Sequence, residues 1–121
     1  MDIETVEQLA EYRTVQNWLK GVHHQSPAST TTDADRLSTL LKFCHLAEKD
    51  PDTIIAECYR APKEGDEWKR IKFKTRRTYS ALISQAEAEL YGGGTAGRQR
   101  GSIVMSFFIH NGVSMQAEPL R

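Results

Sequence analysis

The 121-residue sequence predicts an all-α fold, a compact bundle of four to five helices in a single domain. Apolar residues recur at helical spacing in four separate stretches. Those stretches are punctuated by helix start and stop signals at Asp50-Pro51-Asp52, Gly92-Gly93-Gly94 and Asn111-Gly112. Alternation with a period of two is confined to one short run, Ile71, Phe73 and Thr75.

The first helix is expected over residues 3–21, where Val6, Leu9, Val15, Trp18, Leu19 and Val22 form a partly regular stripe that ends near Gly21. A polar loop from His23 to Ala28, with Pro27 inside it, follows. Ser29 or one of Thr30, Thr31 and Thr32 then caps the next helix, and Asp33 and Asp35 in its first turn complement the macrodipole. The buried face predicted for that helix is Leu37, Leu40, Leu41, Cys44 and Ala47.

Asp50 as N-cap and Pro51 at the first helical position restart the chain, opening a short helix through Ile54, Ile55 and Cys58 to about Arg60. Residues 61–67 read as a charged turn. From Trp68 helical spacing prevails at Tyr79, Leu82, Ile83, Ala86 and Leu90, so one long helix is expected over roughly 67–91. Three glycines end it, Thr95 is expected to cap the last helix, and Asn111-Gly112 terminates that helix after Ile103, Val104, Phe107 and Phe108. Residues 116–121 belong to a polar tail that reads as a linker, leaving 1–115 as the domain.

Hydrophobic residues make up 39% of the chain and the mean hydropathy is −0.55, values of a soluble globular protein. The longest apolar run, Ile103 to Ile109, is seven residues with a Ser inside it, far short of the roughly 18–20 needed to span a bilayer. The N-terminal Met-Asp-Ile-Glu-Thr lacks a basic region followed by an apolar one, so no membrane association is expected and the location is expected to be cytoplasmic. Cys44 and Cys58 show no Cys-x-x-Cys spacing, and adjacent His23 and His24 would point about 100° apart on a helix; neither a metal nor another cofactor is expected. Cys44 falls on an apolar stripe as a small core residue, and His110 stands at a helix end where an imidazolium is favoured.

Charge is the most uneven property of the chain. The net charge is zero, yet residues 1–67 hold seven Lys/Arg against thirteen Asp/Glu, and residues 68–121 hold nine against three. Six of those cations, Lys69, Arg70, Lys72, Lys74, Arg76 and Arg77, fall within nine residues with no acid among them. A surface for a polyanion such as DNA explains this concentration, because Lys and Arg pairing with phosphates releases counterions; a solvated helical face is the alternative. Ile71 and Phe73 within the run are read as packing residues, not as base-stacking platforms.

No Walker loop, Gly-x-Ser-x-Gly elbow or His-Glu-x-x-His motif occurs, so no catalytic constellation is assigned and no small-molecule substrate is expected. Arg98 and Arg100 near the start of the last helix oppose its dipole, and an anion held with the Thr95 hydroxyl explains them; Ser29, Thr30, Thr31 and Thr32 at another helix start are candidates for the same contact, with capping as the alternative. Gly97 and Gly101 weaken the last helix by about 1 kcal/mol each relative to Ala. Two readings stand for them: close approach of backbone to DNA, or a helix start delayed to Ser102.

Three segments taken in order resemble the N-terminal core-binding domain of tyrosine recombinases, the phage-integrase-like family, and most closely its archaeal and viral members. The first is Trp18-Leu19 followed by Ser26-Pro27-Ala28-Ser29-Thr30, with Leu37, Leu41 and Phe43 beyond. The second is Asp50-Pro51-Asp52 opening a short helix, and the third runs from Thr95 through Ile103 to Val113 with Phe107-Phe108 at its centre. Together they span about residues 15–115.

The resemblance implies a SAM-like bundle that closes over one face of duplex DNA, with the segments 30–47 and 67–91 approaching the major groove. Partners would be double-stranded DNA and other recombinase protomers, in the nucleoid. It also implies that chemistry belongs to a separate catalytic domain, which supplies the tyrosine nucleophile, so that this chain alone is not an enzyme and Tyr12, Tyr59, Tyr79 and Tyr91 are not nucleophiles. An interaction module docking on an acidic partner is the alternative function, its marker being self-association, with the apolar helix at Ile103 to Ile109 then partly exposed.

Overall fold

The computed structural model describes residues 2–60 and 70–115, with Arg60 and Arg70 described in backbone only. Six helices lie among the described residues: α1 (Val6–Leu9), α2 (Arg13–Gln25), α3 (Asp33–Ala47), α4 (Pro51–Glu57), α5 (Phe73–Glu89) and α6 (Gly94–His110). The all-helical class expected from the sequence holds, with six helices in place of four or five. A short antiparallel ladder joins β1 (Tyr59–Arg60) to β2 (Arg70–Ile71), pairing Tyr59 with Ile71 and Arg60 with Arg70. The charged turn read at 61–67, Lys69 and the linker at 116–121 lie outside the described residues.

The helix expected over 3–21 is two. Leu9 and Val15 are both fully buried, and on one continuous helix their six-residue separation would place them about 120° apart. The chain resolves this by breaking at residues 10–12. Thr5 starts α1 with a capping box, Gln8 answering to the Thr5 and Glu4 backbone N–H groups. Helix α2 has no side-chain cap of its own; instead Asp52, from the first turn of α4, accepts from the Thr14 backbone N–H at 3.0 Å and from the Thr14 hydroxyl. It then continues to Gln25, so His23 and His24 are helical and not in a loop.

Thr32 is the residue that caps α3, its hydroxyl accepting from the Asp35 N–H at 3.1 Å. The inward face of α3 is rotated from the one predicted: Arg36, Thr39, Leu40, Phe43 and Cys44 are buried, while Leu37, Leu41 and Ala47 are only partly so. Asp50 caps α4 with Pro51 at its first position, as expected, but α4 stops at Glu57 because Tyr59 and Arg60 enter the ladder. The same ladder shortens the long helix expected over 67–91, which begins at Phe73.

Helix α6 sits at the centre, packed against α2, α3 and α5. Its consecutive Phe107 and Phe108 are both fully buried, which requires apolar neighbours on more than one side of the helix. Phe107 meets Trp18 edge-on at 5.6 Å, and Phe108 meets Phe43 edge-on at 6.1 Å and Tyr79 at 5.6 Å. The Trp18 indole N–H donates to the Ser106 hydroxyl at 3.1 Å, satisfying the one polar atom of a buried ring.

Gly93 precedes α6, so Thr95 is inside the helix and does not cap it. Nor is the start delayed to Ser102. Gly97 and Gly101 are buried against α5: a Cβ on Gly97 would lie 2.5 Å from the Glu87 carbonyl oxygen, and one on Gly101 would lie 2.5–2.7 Å from Glu87 side-chain atoms. The partner these glycines admit is the neighbouring helix. Gly112, at φ +85°, completes the stop at Asn111.

Candidate nucleic-acid interface

Helices α5 and α6 form an antiparallel hairpin, with Tyr79 against Phe108 near one end and Glu87 against Gly97 near the other. Cations at the start of α5 and at the start of α6 are therefore at opposite ends. Eleven residues of helical rise between Arg76 and Glu87 set them roughly 15–20 Å apart along the axis.

At the first end stand Lys72, Lys74, Arg76 and Arg77. Lys72 is the N-cap position of α5, and its backbone N–H donates to the Cys58 carbonyl at 2.7 Å, tying the helix to α4 through the ladder. Lys72, Lys74 and Arg77 are exposed and Arg76 is half-buried. No side chain caps this helix and its first turn holds no acid. Among the described residues none of these four cations has a carboxylate within ion-pair distance, whereas Arg36 pairs with Asp33 and Lys49 with Glu57, both within 2.8 Å. Cations at the positive end of a helix oppose its dipole, so helix electrostatics does not account for them. The register also sets two further arginine positions, 60 and 70, opposite one another on the ladder that leads into this end. Arg60 was absent from the sequence-based set because only the pairing brings it here.

Phe73 corrects the sequence-based reading: it is 63% exposed and is not a packing residue. The buried stripe of α5 is Tyr79, Ile83 and Ala86, and a position six residues before Tyr79 lies about 120° off it. The Arg76 guanidinium carbon lies 5.0 Å from the Phe73 ring centroid. Ile71 is half-buried.

The second region is an open polar cleft of about 620 Å³ between the loop after α2, the start of α3 and α6. Of the residues named from the sequence, it brings together Ser29, Thr30, Thr31 and Arg100. Arg100 is committed to the protein: its Nη1 donates to the Thr39 hydroxyl at 3.1 Å and lies 3.9 Å from the Asp35 carboxylate. The anion site imagined from Thr95, Arg98 and Arg100 is not assembled, since Thr95 and Arg98 are exposed on α6 and do not line the cleft. Sequence reasoning missed the cleft's Arg36. Arg36 is 7% exposed, donating to Asp33 at 2.8 Å and to the Ser29 hydroxyl at 3.2 Å, so its charge is answered within the fold.

No known protein family, curated protein or solved structure matches this chain.

Three of the four tyrosines are tied to other elements through their hydroxyls. Tyr59 donates to the Asn111 carbonyl, Tyr79 to Glu57 and Tyr91 to the Thr39 carbonyl, each at 2.7–2.8 Å. Burial and the Glu57 carboxylate push the Tyr79 phenol well above its ordinary pKa, and burial pushes Tyr91 up to about 12. Among the described residues there is no group of three or more His, Cys, Asp or Glu placed to hold a metal ion, and no helix is long and apolar enough to cross a membrane. The apolar segment of α6 is spent on the core at Val104, Phe107 and Phe108, leaving Ile109 as its exposed member.

Proposed function

We propose that this chain binds duplex DNA as the core-binding domain of a site-specific tyrosine recombinase, reaching the phosphate backbone through Lys72, Lys74, Arg76 and Arg77. One observation carries the DNA contact: four cations within six residues stand at a helix start with no capping side chain, no acid in the first turn and no carboxylate partner among the described residues. Lys72 lies near enough to Glu57 to help hold that carboxyl's pKa down without forming an ion pair, and a polyanion supplies counter-charge for the set as a whole. The recombinase affiliation is supported by the ordered likeness of the three segments from Trp18 to Val113, and in it DNA cleavage belongs to a separate catalytic domain. Arg98, on the far end of the hairpin, provides a second phosphate contact along the same duplex.

Fluorescence anisotropy with a labelled 20-base-pair duplex between 50 and 200 mM salt tests this. Affinity falls steeply with salt, and replacing Lys74 and Arg77 together by Ala reduces the slope of log K against log salt by about two. Absence of binding at low salt, or binding indifferent to salt, overturns the proposal.

A further inference from the structure

Among the described residues Phe73 is the most exposed of the large hydrophobic side chains, ahead of Ile109 at 51% and Leu90 at 39%. The three differ in their surroundings. No Lys or Arg lies within three residues of Leu90 or Ile109 in sequence; Leu90 lines a small polar cavity with Lys42 and Arg100, but Arg100 is already held by Thr39 and Asp35, and single apolar side chains on a surface are ordinary. Phe73 has Lys72 and Lys74 on either side and Arg76 and Arg77 in the next turn, with the Arg76 guanidinium against its ring.

The ring thus has a guanidinium carbon 5.0 Å from its centroid and is largely exposed, among cations that form no ion pair with a described carboxylate. A ligand matching both features carries negative charge and flat π faces at short, regular spacing. Nucleic acid does so, phosphate and base being covalently linked.

We propose that Phe73 is a base-stacking platform, taking face-on contact with one nucleobase of the bound DNA where that base is unpaired or readily unstacked. The inference rests on the DNA-binding reading above and deepens it by naming what the start of α5 holds besides phosphate. Stacking on an aromatic side chain is tolerant of sequence, because every base presents a π face. Recognition by Phe73 therefore selects a distorted step in the duplex and not a base identity.

The test uses the full chain and two 20-base-pair duplexes of one sequence, fully paired or carrying a single unpaired 2-aminopurine. Wild type binds the bulged duplex about tenfold more tightly than the paired one, the order of one base–aromatic stack, and changes the 2-aminopurine fluorescence. In Phe73→Ala the preference falls to about one and the fluorescence change is lost, while the salt slope, set by the cations, stays. Phe73→Trp keeps the preference. Because Phe73 is exposed, Phe73→Ala folds, which circular dichroism verifies. Equal affinity of wild type for both duplexes, or a preference that survives in Phe73→Ala, overturns the stacking role while DNA binding stands. Failure of wild type to bind either duplex removes both proposals.

Discussion

A methyl group on Gly97 would sit 2.5 Å from the backbone carbonyl oxygen of Glu87. That contact sets how closely α5 and α6 approach. Gly97→Ala must separate two helix backbones, so it destabilises the protein by about 1–3 kcal/mol despite the better helix propensity of Ala. At Gly101 the obstacle is the half-exposed Glu87 side chain from Cγ outward and not backbone, so a change of its rotamer relieves the contact. Gly101→Ala is expected within about 1 kcal/mol of wild type. Urea unfolding of the two variants side by side checks the contrast.

Asp52 serves two helices, as an acid in the first turn of α4 and as the acceptor for Thr14 at the start of α2. Asp52→Ala is expected to cost about 1–2 kcal/mol, and Asp52→Asn much less because it keeps an acceptor oxygen. With Thr14→Ala added, the losses fall short of additive, since the hydroxyl–carboxylate hydrogen bond is lost in either variant alone. Thermal melts of the three variants and the double variant measure this.

Burial pushes the carboxyl of Asp33 up, but hydrogen bonds from His23 and Arg36 outweigh it and hold its pKa below 3.8. Burial likewise opposes, and hydrogen bonds from Lys49 and Tyr79 outweigh, the shift of Glu57 below 4.5. Carboxyls depressed in the folded state lend stability above their unfolded pKa values and lose it as pH falls through the folded ones. The melting temperature should therefore fall steadily below about pH 4.5, and Asp33→Asn or Glu57→Gln should each flatten that decline.

Burial pushes the Cys44 thiol up to about 12 and the Cys58 thiol up to about 11. Neither forms a reactive thiolate at neutral pH in the folded protein. Labelling with a chromogenic disulfide reagent is expected to report no thiols under native conditions and both in denaturant.

The cations at the start of α5 stand against the helix dipole. Replacing Lys74 and Arg77 by Glu should raise the melting temperature by about 2 °C, while abolishing binding to duplex DNA. A variant more stable and less able to bind separates function from fold at this surface.

Local signals in the sequence located most helix ends. Asp50-Pro51, the threonines before Asp33 and Asn111-Gly112 each act through their own backbone, so their meaning does not depend on the rest of the chain. What stayed hidden depends on distant partners. The break between α1 and α2 had a trace in the mismatched phase of Leu9 and Val15, but the cap that secures α2 comes from Asp52. The ladder at Tyr59 and Ile71 pairs residues on either side of a charged segment, and the period-two run was its faint sign. For the candidate site, the basic run was visible as charge, whereas the exposure of Phe73 required knowing where α5 begins.

The first turn of α2 is held from two directions: Asp52 of α4 takes its N–H, and the Asn111 side chain donates to the Thr14 carbonyl across 97 residues of sequence. Trp18 likewise waits for Ser106 and Phe107. Loops of that length must close before these contacts reward the chain, so the N-terminal helix is among the last pieces to lock. During synthesis the ribosome must release nearly the whole domain before Trp18 finds its place, and until then a large apolar ring destined for the core is left for chaperones or for aggregation to meet.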